Sequence, residues 1–187
     1  MKVITLFKNE TQLIEKAMRN HRGAQKHLYE KHAPKMLSVC RQYIKDLQFA
    51  EDVMLKGFFK VFNNLSSFKN EGSFEGWIRK IMVREAISFL RKQDKLKFSE
   101  DMSTESQNSI DPIESDLHVT HIQSMIDQLP EGYKAVFILY AVEGYKHQEI
   151  AELLKISQGT SKSQLFKARK MLQEQLNTTK QTSYGTN

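Results

Sequence analysis

Glu143-Gly-Tyr-Lys-His-Gln-Glu-Ile-Ala-Glu-Leu-Leu-Lys-Ile-Ser-Gln-Gly-Thr-Ser-Lys-Ser-Gln-Leu165 is the stretch that decides the fold. Gly144 stands where a preceding helix would end in a left-handed cap. His147 to Leu154 reads as a short helix with Ile150, Ala151 and Leu154 facing inward. Glu149 lies three residues after Lys146, where a capping-box acid belongs. Lys155-Ile156-Ser157 reads as a tight turn. A longer helix then starts near Gln158–Gly159 and runs to about Leu176, with Leu165, Ala168 and Leu172 keeping a buried stripe. The small Ala151 lets the two helices cross closely, which is the spacing of a helix-turn-helix. Upstream, Leu129-Pro-Glu-Gly132 is a break, and Pro130 opens a helix that carries Tyr133 to Val142.

The outer face of the longer helix collects Gln158, Lys162, Ser163, Phe166, Lys167 and Arg169, with Thr160 and Ser161 in its first turn. Cations and amides in that position suit a helix lying in a DNA major groove. Lys162 or Lys167 could take guanine acceptors, Gln164 could read an adenine edge or simply be surface, and Phe166 could touch a thymine methyl. An ordinary basic surface helix is the other reading.

A second helical block precedes this one. From Ala50 to Leu65, the residues Ala50, Val53, Met54, Gly57, Phe58, Val61 and Leu65 share one side of a wheel. Leu55, Phe59 and Phe62 fall on another, so the helix is either covered twice or shows a partner a second apolar face, rimmed by Glu51, Asp52, Lys56 and Lys60. Ser67-Phe-Lys-Asn-Glu-Gly-Ser-Phe-Glu-Gly-Trp77 breaks the helical pattern, and Ser73 is an N-cap for a helix from Phe74 to about Gln93. Lys80, Arg84 and Arg91 form a basic stripe on it. Taken alone such a stripe is a solvated face. Joined to a loop with Phe68, Lys69, Asn70, Glu71 and Ser73, it has what a melted strand needs: a π-face, edge hydrogen bonds and cations. Phe68 is the expected stacking face and Trp77 the expected core residue. Apolar positions within 11–46 predict two further helices packed on the Ala50 helix. His21, His27 and His32 have no metal-ligand spacing and are expected at the surface or boundary.

The charge pattern separates the blocks. The 187 residues carry a net charge of +6, unevenly spread. Residues 1–97 hold 20 basic and 10 acidic residues, 98–118 hold six acids and no base, and 119–187 hold eight basic and six acidic. The middle segment is rich in Ser, lacks periodicity and contains Pro112, as a flexible acidic linker does. The tail beyond Asn177, and 179–187 in particular, is polar and expected to fray. Three Pro, eight Gly and one Cys favour an all-α chain and exclude a disulfide framework or Cys-rich zinc site. The longest apolar run, Ala135–Val142, is eight residues, against about 20 for a membrane helix. No Ser/His/Asp, metal or phosphate-loop spacing appears, so no catalytic residue, metal or cofactor is expected. The expectation is two small helical domains, 1–97 and 119–178, joined by a flexible linker over 98–118, without membrane insertion and cytoplasmic.

With these segments in this order, the chain resembles the bacterial RNA polymerase sigma factors of the extracytoplasmic-function group, within the sigma-70 family. Ala50–Leu65 looks like the region-two helix that grips the polymerase, Phe68–Ile81 like the promoter-melting segment, and Glu143–Leu165 like the region-four helix-turn-helix. The resemblance implies that core RNA polymerase and promoter DNA, both duplex and melted single strand, are partners. It implies polymerase contacts at Glu51, Asp52, Leu55, Lys56, Phe59 and Phe62. Phe68, Lys69, Asn70, Glu71, Ser73, Lys80, Arg84 and Arg91 would serve the minus-ten element. Gln158, Thr160, Lys162, Ser163, Gln164, Phe166, Lys167 and Arg169 would serve the minus-thirty-five element. Members are often held by an anti-sigma factor, for which Leu55, Phe59 and Phe62 would be a target. Five positions depart from the family pattern: Leu55-Lys56 replaces a Gln-Glu pair, Arg84 a common Asn, Lys155 the turn Gly, and Ser161 an apolar residue. A stand-alone helix-turn-helix regulator binding DNA as a dimer is the competing reading, and it leaves Ala50–Gln93 without a role.

Overall fold

The computed structural model describes residues 10–93 and 117–183, and every regular element among them is helical. The chain forms two compact units that divide at Leu90 and Arg91.

The first unit contains α1 (Glu10–Met18), α2 (Arg22–Tyr43), α3 (Leu47–Asn63), a 3-10 turn (Leu65–Ser67) and α4 (Phe74–Lys92). Side chains start the helices by satisfying free amides. His21 Nδ1 accepts from the Ala24 N–H at 3.1 Å, Asp46 Oδ1 from the Phe49 N–H at 3.0 Å, and Ser73 Oγ from the Gly76 N–H at 3.0 Å. The Ser73 cap and the stripe on α3 stand as expected from sequence, although α3 begins three residues before Ala50. α2 packs along α3, while α1 lies against α2 and the 3-10 turn. Of the two upstream helices expected on α3, α2 makes the larger contact with it. At Gly57 the α3 backbone is so close to Met82 of α4 that a Cβ would sit 2.3 Å from its sulfur.

His32 is not a surface histidine. It is 4% exposed, its Nε2 is 3.0 Å from Glu10 Oε1, and its ring meets Phe74 edge-on at 5.6 Å. Lys31 Nζ donates to the same Glu10 oxygen at 2.7 Å. Partial burial raises the Glu10 pKa, but the hydrogen bonds and charges of Lys31 and His32 outweigh it and leave the carboxyl below its ordinary value. Cys40 is fully buried, and burial, helped by the Glu85 charge, pushes its thiol up to about 12, so it stays protonated and unreactive.

The second unit contains α5 (Leu117–Asp127), α6 (Glu131–Phe137), a π-helical turn (Ile138–Val142), α7 (His147–Leu154) and α8 (Gln158–Ser183). α5 was not foreseen from sequence. It begins within the last two residues of the expected linker, the rest of which lies outside the described residues. α8 continues as helix to Ser183, so the start of the expected tail is helical. The helix after Pro130 does reach Val142, but its last turn is widened, with the Glu143 N–H donating to Ile138 O at 3.0 Å. Gly144 has φ 74° and Lys155 φ 58°, both left-handed. Leu129, Tyr133 and Ala168 form a core flanked by Phe137, Met171 and Leu172. Lys134 is 1% exposed and its Nζ lies 2.6 Å from Asp127 Oδ1, an ion pair between α5 and α6.

Two stability predictions follow from these ion pairs. Lys134→Met leaves the Asp127 carboxylate without its counter-charge and should destabilise the second unit by about 2–3 kcal/mol. Adding Asp127→Leu should recover most of the loss, as read by chemical denaturation. For Glu10 the folded pKa is the lower one, so its contribution is present above the unfolded value of about 4.3 and is lost as pH falls through the folded value. Glu10→Gln should therefore melt below the native chain at pH 7, and the gap should close as the pH falls through the folded value.

Candidate nucleic-acid interface

The segment from Leu65 to α4 builds a cleft. Asn70 at φ 58° and Gly72 at φ 106° bend the loop out; a left-handed glycine costs no side-chain clash there. Phe68 turns inward. It is 7% exposed and packs against Phe74 at 5.1 Å and Trp77 at 5.5 Å. Of these two aromatics, Phe68, expected as the open ring, is the buried one, and Trp77, expected in the core, is the more exposed. Phe68 is a core ring that holds the loop down, so it does not present an open stacking face. Trp77, stacked on Phe74 at 5.8 Å, is only half-buried and lines the cleft. The cleft has a volume of about 320 Å³; Phe68 lines it too, with Lys69, Glu71, Gly72, Ser73 and Lys80. Asn70 is exposed beside it. Lys80 and Arg84 are exposed on α4, and Arg91 is half-buried at its end. An aromatic floor with cations and a carboxylate on the walls suits an unstacked base and its phosphate.

The outer side of α3 is apolar and open. Leu55 is 51% and Phe59 69% exposed, with Glu51, Asp52 and Lys56 exposed around them. Leu47 and Phe49 are also exposed on the first turn, Phe49 with its ring 5.5 Å from that of Phe89 on α4. Phe62 is half-buried, stacked on Phe58 at 6.0 Å, and so contributes only an edge. Lys60, expected in the polar rim, is 2.5 Å from Glu85 Oε1 of α4.

On α8, Gln158, Lys162, Ser163, Phe166 and Arg169 are exposed, Phe166 at 70%, while Thr160 and Lys167 are half-buried. The first turn is fastened by Ser157, whose Oγ accepts from the Thr160 N–H at 2.9 Å and lies 2.9 Å from Thr160 Oγ1. Gln164 points inward, 2% exposed, and its Oε1 has no hydrogen-bond partner among the described residues. The expectation that Gln164 reads a base edge is corrected: at 100° per residue it follows Ser161 and precedes Ala168 on the buried side. Ser161 is fully buried, with its Oγ 2.9 Å from His147 Nδ1, which explains how a hydroxyl replaces an apolar group there. His147 and its neighbour Tyr140 are the residues of this region that the sequence reading did not single out.

Two family profiles match this chain: sigma-70 region 2 over residues 28–96, and sigma-70 region 4 over residues 121–172. The RNA polymerase sigma factor SigV of Bacillus subtilis (strain 168) is 34% identical over 137 residues, covering 72% of this chain and 80% of that protein. The chain is a sigma factor of the sigma-70 family. Other relatives, such as the extracytoplasmic-function sigma-E factor of Haemophilus influenzae (24% identical, 88% of this chain and 93% of that protein), place it in that group. Two solved structures share the fold. They are CnrH bound to the cytosolic domain of CnrY (TM-score 0.50, 18% identity, 90% of this chain and 97% of that one) and the Bartonella quintana sigma factor RpoE bound to the anti-sigma factor NepR (0.52, 22%, 81% and 96%).

A sigma factor binds core RNA polymerase and promoter DNA, and as a family sigma factors are not enzymes. No helix among the described residues is long and apolar enough to cross a membrane, and no group of three His, Cys, Asp or Glu is placed to hold a metal ion. The cleft and the α3 face lie within the first matched region, and the exposed residues of α8 from Gln158 to Arg169 lie within the second. The burial of Phe68 makes a direct prediction. Phe68→Ala should destabilise the first unit by about 3–4 kcal/mol by opening a cavity, whereas Lys80→Ala should leave its melting temperature within about 1 °C.

Proposed function

We propose that the three surfaces divide the work of promoter recognition. The outer side of α3, with Glu51, Asp52, Leu55, Lys56 and Phe59 and the edge of Phe62, docks on core polymerase. The cleft at Lys69–Ser73, with Trp77 as its stacking wall, takes a base of the melted minus-ten element. Lys80, Arg84 and Arg91 carry the adjacent backbone. Lys162, Ser163, Phe166 and Lys167 read the minus-thirty-five duplex, with Gln158, Thr160 and Arg169 toward phosphates. The observation that carries this reading is the pairing, in one chain, of an open apolar helix face with a charged aromatic cleft beside it and a separate helix-turn-helix whose exposed residues are cationic.

Three further points belong to the reading. Residues 98–118 join the two units as a spacer, and the protein acts in the cytoplasm with the polymerase. The α3 face is also where an anti-sigma factor would compete, because covering Leu55 and Phe59 hides the polymerase site. In place of the family's polar pair, Leu55-Lys56 offers the polymerase an apolar and cationic contact, so hydrophobic burial has a larger share of the docking energy.

Leu55→Asp combined with Phe59→Asp should weaken co-elution with core polymerase on gel filtration by more than tenfold. It should leave the melting temperature unchanged, since both side chains are exposed. The native chain should let core polymerase make a specific transcript from a promoter library. A free dimer bound to palindromic DNA, with no transcript, would instead identify a stand-alone regulator.

A further inference from the structure

Where α7 crosses α8, one titratable side chain has no part in the reading above. His147 is the first residue of α7, and its ring stacks on Tyr140 of the π-helical turn at 4.8 Å and 25°. The Arg169 guanidinium lies over the same Tyr140 ring, 5.5 Å from its centre. Nδ1 of His147 is 2.9 Å from the buried Ser161 hydroxyl. The imidazole is therefore fixed between the turn and α8, in the same layer as the helix's exposed cations.

The charges around it are lopsided. α8 contributes Lys162 and Arg169, and the turn contributes the phenol of Tyr140, with Glu143 closing the turn. On its own helix Lys146 and Glu149 flank it, and the Glu149 carboxylate accepts from the Lys146 N–H at 2.8 Å. Burial first, and then the charges of Lys162 and Arg169, hold the His147 pKa below its ordinary value, so the free chain carries a neutral ring at pH 7. Ser161 suits either state. Its hydroxyl donates to Nδ1 of the neutral ring and accepts from the N–H of the imidazolium, so protonation breaks no hydrogen bond. What opposes the charged form is burial and, after it, the pair of neighbouring cations, and DNA phosphates docked on those cations would reverse the field of the cations.

We propose that His147 is a phosphate-binding residue of the duplex face whose contribution is proton-linked: it takes up one proton as the DNA backbone docks beside Lys162 and Arg169, so duplex affinity rises as pH falls. The inference rests on the assignment of α8 as the duplex-reading helix.

The test uses holoenzyme reconstituted from the full chain and core polymerase, with a fluorescent promoter duplex, at constant salt between pH 8 and pH 6. His147→Gln keeps a hydrogen-bonding group for Ser161 but cannot be charged. Because the polymerase also titrates, the quantity read is the Kd of the variant divided by the Kd of the native protein at each pH. That ratio should be near one at pH 8 and rise to about three- to tenfold at pH 6, within the tenfold per pH unit that one proton allows. Calorimetry of the native holoenzyme in buffers of different ionisation enthalpy should show a fraction of a proton taken up that His147→Gln lacks. A ratio that stays flat, with no difference in proton uptake, overturns the proposal. Lys162→Ala with Lys167→Ala separates the two ideas. If the pair weakens binding while the ratio is flat, only the proton linkage fails. If the pair changes nothing at either pH, α8 is not the duplex reader and both fail.

Discussion

The first unit depends on how closely α3 and α4 can approach. Gly57 removes the one side chain that would hold them apart, and the fully buried Met82 fills the space against its backbone. Val53, Phe58 and Val61 of α3 and Ile78, Met82 and Ile87 of α4 are all buried, and α2 packs along α3. Sealing one side this tightly leaves the other side of α3 with no neighbour, so Leu55 and Phe59 stay in water. It also sets the start of α4, and hence the cleft that the Leu65–Ser73 segment closes over. The open apolar face of α3 and the charged cleft are two consequences of the same packing.

In the second unit the corresponding constraint is the turn at Lys155. A left-handed residue there redirects the chain between α7 and α8 within three positions, and a side chain other than glycine makes that conformation costly. The Ser161–His147 hydrogen bond and the Tyr140 stack tie α7, α8 and the π-helical turn together around it. The widened turn at Ile138–Val142 has a place in this arrangement, because it brings Tyr140 out of the core and onto His147 and Arg169. The contacts that orient α8 thus also determine which ionisable group sits beside its cations.

Much of this was legible in the chain itself. Periodicity located α3, α4, α7 and α8, because a 3.6-residue repeat of apolar side chains has few other solutions. The caps at Ser73 and Gly144, the turn at Lys155 and the exposed row on α8 followed from local stereochemistry. Residues with two possible partners were harder to place. Phe68 and Trp77 are close in sequence and both aromatic, so which ring is buried depends on how the loop closes over Phe74. Gln164 looks like a surface amide until α8 is rotated onto its neighbours.

The sequence by itself determined that the protein is helical, that it has two basic helical blocks on either side of an acidic segment, and which family it resembles. Each of these depends on residues near one another in the chain. Only the tertiary structure decided that His32 is buried against Glu10, 22 positions away, that Lys134 is buried against Asp127, and that Phe68 rather than Trp77 is the more deeply buried of the two rings at the cleft. The physical reason is the same in each case. Burial of a polar or aromatic side chain is settled by what packs over it, and that neighbour comes from another helix.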